Sequence, residues 1–209
     1  MAGMLIMFFS AGAETTVVNL AGVLDLLGKE KSAREMVEKD LLSTLLEGDW
    51  KNIEKLSEDS INWDRLSKLD QFIKEAQRLA VGLLFFFLRV CTKTHKLGGI
   101  TIKKGTIIAL PIWFYHRSSK NFENPDQFDM ERFSPENDAK IAKRAYAPFG
   151  QGKRACIGME VGKATMRSMI ATLLSLFEVE KDPNFTGEWV LEGGFQMKEV
   201  NLRIRPRKN

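Results

Sequence analysis

Cysteine, histidine and tyrosine are scarce in this chain, with two of each among 209 residues. Two cysteines, Cys91 and Cys156, exclude a disulfide framework. The first thirteen residues, Met1 to Ala13, lack the basic n-region of a secretory signal. The thiols therefore read as free, in a reducing, intracellular compartment. That apolar run, and the shorter one from Leu79 to Leu88, read as too short to span a bilayer. A concentrated basic stripe is also lacking. The net charge of +4 is spread along the chain, which argues against nucleic acid as a partner. It leaves room for a basic patch that docks an acidic protein. Repeats, low-complexity linkers and internal boundaries are absent, so residues 1–209 read as one domain or a large piece of one.

An ordinary apolar fraction, 44%, is enough to build a core. The segment up to Leu27 is apolar almost all round, with Gly28 placed to cap it. It predicts a helix buried in the middle of the fold. An amphipathic helix is expected over residues 32–46, ended by Gly48-Asp49. Another is expected from an N-cap at Asn62 to about Ala80, with Leu66, Leu69, Phe72, Ile73 and Ala76 at helical spacing. Strands follow from Phe85 to Leu110, with a hairpin turn at Lys103-Lys104-Gly105. Residues 116–148 carry Pro125, Pro135 and Pro148 and predict a long irregular loop, more often functional than accidental. A helix from Met159 to Leu176 and short strands around Glu192-Gly193-Gly194 complete the chain.

The chemistry concentrates in Phe149-Gly150-Gln151-Gly152-Lys153-Arg154-Ala155-Cys156-Ile157-Gly158. A cysteine just before a helix is favoured as thiolate by unpaired amides and the positive helix end. The glycines allow tight turns and close approach of backbone to a flat group. Phe149 can shield the sulfur, and Arg154 can hold an acidic substituent by a charge-assisted pair. Cys91 stands in no such context and reads as a small buried hydrophobe.

This loop matches the haem-binding signature of the cytochrome P-450 family, Phe-x-x-Gly-x-Arg-x-Cys-x-Gly, at every fixed position. Chance would produce such a match about once in several million windows. Three further segments resemble that family in its order. Ala11-Gly12-Ala13-Glu14-Thr15-Thr16 is similar to its oxygen-activating helix motif, with Ala11 and Gly12 leaving space and Glu14 and Thr15 as the acid–alcohol pair. Taken alone, such polar residues more often mark a bend or a satisfied core contact. Glu75-Ala76-Gln77-Arg78 resembles the Glu-x-x-Arg motif, though alone a charged pair at that spacing is usually a solvated face. Phe128-Asp129-Met130-Glu131-Arg132-Phe133 resembles the Pro-Glu-Arg-Phe segment, with Met130 where the family usually has proline. The resemblance makes Glu75, Arg78 and Arg132 a buried structural network. It gives Arg89 a haem propionate to hold, against a bland reading as a surface arginine ending a strand. Lys143, Arg144, Lys153, Lys163 and Arg167 would form the face that meets an electron donor, or simply a solvated surface.

The resemblance implies a mainly α fold with small β-sheets, the C-terminal half of the cytochrome P-450 fold. It implies haem b with its iron ligated by Cys156. Electrons would come from NAD(P)H through a reductase-type partner, and O2 would be used on a small lipophilic organic substrate. The texture is eukaryotic-like, with His116-Arg117 before the long loop. Full-length relatives of that kind sit at the endoplasmic reticulum membrane, and a missing N-terminal part would carry the anchor. Two alternatives stand beside monooxygenase. One is a truncated, non-catalytic haem-binding fragment or one half of a split protein. The other is a thiolate-haem isomerase, against which Thr15 argues.

Overall fold

A computed structural model describes residues 2–46, 65–80, 87–142, 144–184, 189–191, 195–197 and 199–207. Long runs of good helix formers without proline give α1 (Ala2–Lys29), α2 (Lys31–Leu46) and α6 (Met159–Leu176), and α3 (Ser67–Leu79) is shorter. Two short helices, α4 (Ile112–His116) and α5 (Pro135–Asp138), punctuate the long loop. The strands are β1 (Phe87–Val90), β2 (His95–Leu97), β3 (Ile100–Ile102), β4 (Ile107–Leu110), β5 (Phe177–Lys181), β6 (Trp189–Leu191), β7 (Phe195–Met197) and β8 (Leu202–Pro206). They form four two-stranded antiparallel sheets, β1–β4, β2–β3, β5–β8 and β6–β7.

The core lies where four helices meet. Leu20, Val23 and Leu27 of α1 pack with Val37 and Leu41 of α2. Leu69, Phe72, Ile73 and Ala76 of α3 and Met166, Ile170 and Leu174 of α6 close the cluster. Each fully buried Leu or Phe there contributes about 1.5–3 kcal/mol. Helix α3 is central and is buried nearly all round from Gln71 to Ala80, with Lys74 half-buried. That position lets its two fully buried charged residues, Glu75 and Arg78, reach the long loop.

Several details differ from the sequence reading. Only the C-terminal part of α1 is buried. Met4, Leu5, Ile6 and Phe9 are 62%, 66%, 69% and 80% exposed, so this half is not a core helix. A helix of this length spans about 42 Å, more than its partner helices cover. The stretch Gly3–Lys29 is long and apolar enough to cross a membrane by length and composition. The short apolar run thus continues into a longer helix, in which Leu20, Val23 and Leu27 are committed to protein core. Gly28 is not a cap but lies inside the last turn. A Cβ there would meet Leu202 Cδ2 at 2.7 Å and Lys181 Cα at 3.4 Å, so glycine lets β5 and β8 close over the helix.

The hairpin turn is at Gly98-Gly99, between β2 and β3, where φ is +56° and +82°. Left-handed values at both central residues suit the twist of paired strands, and two glycines supply them. The turn at Lys103–Gly105 instead leads into β4, which pairs with β1 across Cys91. Helix α3 starts at Ser67 with Leu66 as its cap residue. Asn62, Gly48-Asp49, Phe85 and Glu192-Gly193-Gly194 lie outside the described residues. Met130 opens a 3₁₀ turn, Met130–Phe133, capped by the Asp129 carboxylate accepting from Glu131 N at 3.0 Å. The methionine side chain packs into the main core, which a proline could not fill as deeply.

Candidate haem-thiolate site

Glu75 and Arg78 have no exposed side-chain surface and form a bidentate pair, Nε to Oε2 at 2.7 Å and Nη2 to Oε1 at 2.8 Å. Arg78 spends its other donors on the long loop. Nη1 donates to the carbonyls of His116 (2.7 Å) and Pro125 (2.6 Å), and Nη2 to that of Gln127 (3.2 Å). Its guanidinium also lies 5.0 Å from the centroid of Phe122. Glu75 Oε1 accepts from Asp129 N at 2.9 Å and from Arg132 Nε at 3.3 Å, and Arg132 Nη2 donates to Asn124 O. The three side chains thus tie α3 to three stretches of a loop with little regular structure of its own.

A second chain of contacts carries this order to the cysteine loop. His116 is fully buried and its Nε2 accepts from Ala147 N at 2.9 Å. Its ring stacks on Tyr146, with centroids 5.4 Å apart. Tyr146 donates to Gln77 Oε1 at 3.1 Å, and Gln77 reaches Met166 Sδ on α6. Burial, then the Glu75 and Asp138 charges, hold the tyrosine hydroxyl well above the usual phenol range, so it stays a donor. Burial first, and the Arg78 charge second, lower His116 to about 4. An unfolded histidine takes up a proton near 6.5, so this one contributes stability in full above that pH. The contribution is lost between pH 6.5 and about 4 and amounts to about 3 kcal/mol. Denaturant midpoints measured across that window should fall for the native chain and stay flatter for His116→Phe. Equal slopes would contradict this. Neither His116 nor Tyr146 carried a role in the sequence reading. The only signal was a polar ring ending an aromatic run.

The cysteine loop is a set of tight turns. Gly150 N donates to Ala147 O at 3.0 Å, and Cys156 N to Phe149 O at 2.8 Å. Gly150 and Gly152 hold φ of +71° and +72°, which L side chains rarely adopt. A Cβ on Gly150 would also stand 3.3 Å from the Phe87 ring, so β1 lies against this loop. Arg89, two residues on, shares a strand face with Phe87. Phe149 packs toward α6, where a Cβ on Gly162 would touch its ring at 3.5 Å. Gly158 caps α6, and a Cβ there would lie 4.0 Å from Cys156 Sγ. The sulfur thus stands beside the first, unpaired amides of the helix.

Of the two thiols, Cys156 is exposed and Cys91 is buried. Cys91 Sγ donates to Lys93 O at 3.0 Å and lies 3.5 Å from His95 Nδ1. Ile157 and Val161, beside Cys156, are also exposed. Arg154 and Arg89 are exposed, Arg89 donates to the Leu88 carbonyl, and among the described residues neither has a carboxylate partner. Among the described residues no three His, Cys, Asp or Glu side chains gather to hold a bare metal ion. This donor set fits haem: one accessible thiol, apolar neighbours, glycine turns for close approach, and two arginines free for carboxylates. A cavity of about 450 Å³ between α3, α6 and residues 146–150 is lined by neither Cys156 nor Thr15.

Thr15 and Glu14 stand apart from this loop. Thr15 Oγ1 donates to Ala11 O at 2.6 Å, and Asn19 Nδ2 donates to Thr15 O. Glu14 is exposed, and a Cβ on Gly12 would have nothing within 4 Å. Among the described residues no hydrogen bond or ion pair joins Ala11, Gly12, Glu14 or Thr15 to the cysteine loop, although α1 packs on α6.

A family model described as Cytochrome P450 matches residues 1–204. Cytochrome P450 3A6 of Oryctolagus cuniculus is 32% identical over 174 residues, covering 82% of this chain and 33% of its own length. Dolabradiene monooxygenase of Zea mays is 28% identical over 203 residues, covering 95% of this chain and 39% of its own. The crystal structure of the cytochrome P450DA heme domain aligns with a TM-score of 0.85 at 27% identity, covering 97% of this chain and 43% of that one. The chain thus spans 33% and 39% of the length of those two curated relatives.

Proposed function

Because the chain belongs to the cytochrome P450 family and has part of that fold, we propose that it is the iron-ligating portion of a haem-thiolate monooxygenase. The observation that carries this reading is the exposed Cys156 thiol, set in glycine turns ahead of α6. Cys156 would ligate the iron, Arg154 and Arg89 would hold the propionates, and Phe149 and Gly150 would lie against the ring. Haem b bound there, with electrons from NAD(P)H through a reductase-type partner, supplies dioxygen activation on a thiolate-ligated iron. Residues 1–209 then form a single partial cytochrome P-450 domain.

The chain's own residues have separate tasks in this reading. Glu75, Arg78 and Arg132 hold the long loop rigid. Gly158, which caps α6, sets the Cys156 thiol beside the start of that helix. The Thr15 hydrogen sits on the Ala11 carbonyl, so its oxygen offers lone pairs. To relay a proton the hydroxyl would turn from Ala11, release its own hydrogen to the reacting group and take a replacement from water at the same oxygen. Glu14, exposed beside it, exchanges protons with water. Ala11 and Gly12 leave room for a small molecule. The substrate is a small lipophilic compound in this account.

A second reading rests on the apolar residues exposed on α1, with Leu88, Val90 and Ile107 of the β1–β4 sheet. Exposed apolar residues in such numbers mark a docking face. It favours a portion that works together with a complementary segment, as in a split protein or a non-catalytic fragment. A place at the endoplasmic reticulum membrane belongs to the same proposal, supported by the apolar half of α1.

Thr15→Ala in the haem-loaded protein, supplied with a reductase and NAD(P)H, tests the oxygenase reading. Electron use should persist while organic product labelled from 18O2 falls about tenfold or more, the lower end of a general acid–base contribution being larger still. Unchanged coupling would remove Thr15 from the reaction. Donor-independent turnover would favour isomerase chemistry.

A further inference from the structure

His116 is buried and joins the Glu75–Arg78 network, through its backbone, to the cysteine loop, through its ring. Its backbone carbonyl accepts Arg78 Nη1 at 2.7 Å. Its imidazole Nε2 accepts Ala147 N at 2.9 Å. An acceptor at Nε2 places the ring hydrogen on Nδ1, which is buried and without a partner among the described residues. A buried polar atom left unpaired has a cost that bulk filling alone would not incur. An apolar ring of the same shape would fill the space without it. What the imidazole adds is the lone pair on Nε2.

That lone pair holds the start of the loop. Ala147 O accepts Gly150 N, and Phe149 O accepts Cys156 N. The bond from Ala147 to His116 therefore anchors the turn from which the Cys156 backbone hangs. The ring stack on Tyr146 fixes the neighbouring residue from the side. We propose that His116 is a positioning residue for Cys156, acting through the Ala147 amide to set where the thiol stands relative to the end of α6. The consequence for haem rests on Cys156 being the ligand, but the positioning itself does not.

The test therefore reads the chain without haem. In 15N-labelled native chain, the His116 ring should show the tautomer with hydrogen on Nδ1. The Nε2-protonated tautomer would overturn the proposal without any variant. His116→Phe keeps the ring and removes the acceptor, while His116→Gln keeps an acceptor. In His116→Phe, hydrogen exchange at the Ala147 amide should speed up at least tenfold. The rate of iodoacetamide alkylation of Cys156 at one fixed pH should change with it. Exchange at Leu174 in the core should not change. His116→Gln should restore both readouts at least in part. Native exchange and an unchanged alkylation rate in His116→Phe would show that His116 only fills space. A failure of haem to bind with these results intact would count against the haem reading and not against the positioning role.

Discussion

Arg78→Ala is expected to lose about 3–5 kcal/mol of folding stability, because it leaves the fully buried Glu75 carboxylate without its bidentate partner. Three loop carbonyls, those of His116, Pro125 and Gln127, lose their donor in the same step. Arg78→Lys should recover little. Five guanidinium hydrogens serve Glu75 and three carbonyls here, and an ammonium offers three from one point. Arg132→Ala should cost less. Arg132 is partly exposed and Glu75 keeps its pair with Arg78. Urea denaturation followed by circular dichroism measures the order. A loss below about 1 kcal/mol for Arg78→Ala would show that the pair is not what holds the loop, since even one unsatisfied buried group costs that much.

Cys156→Ala should have the opposite profile, with a large effect on haem and almost none on the fold. Cys156 is exposed, and its backbone bond to Phe149 survives the substitution. Substitutions at such surface positions usually change stability by less than about 0.5 kcal/mol. Titration with ferric haem should show the thiolate-type absorption for the native chain and its loss in Cys156→Ala. Cys91→Ala is the control. Its thiol is buried and donates to Lys93 O, so that variant should lose stability and keep the native haem spectrum. The reverse assignment, with Cys91 controlling the spectrum, would overturn the site.

Different parts of this molecule were legible in the sequence to different degrees. The cysteine loop and α6 are local, so residue order alone placed them, and the helix runs from Met159 to Leu176 as expected. The mainly helical fold with small sheets is what the resemblance implies, and the structural relative shares it. What misled was tertiary. Both Gly98-Gly99 and Lys103-Lys104-Gly105 carry turn residues, and only the pairing of β4 with the distant β1 shows which one closes a hairpin. Gly28 looks like a cap in one dimension, while the close approach of Leu202 and Lys181 is visible only in three. Pattern alone marks an all-apolar helix as buried throughout, yet it cannot say how much of its length the neighbouring helices cover. The place of His116 between its partners is not visible in the sequence, because Arg78 and Ala147 lie 38 and 31 residues away.

The most direct test of the central claim is the carbon monoxide difference spectrum of the reduced, haem-loaded chain. Thiolate ligation by Cys156 predicts the strongly red-shifted Soret band from which the family takes its name, absent in Cys156→Ala. A Soret band at the position of histidine-ligated haem, or the same spectrum with and without Cys156, would contradict it.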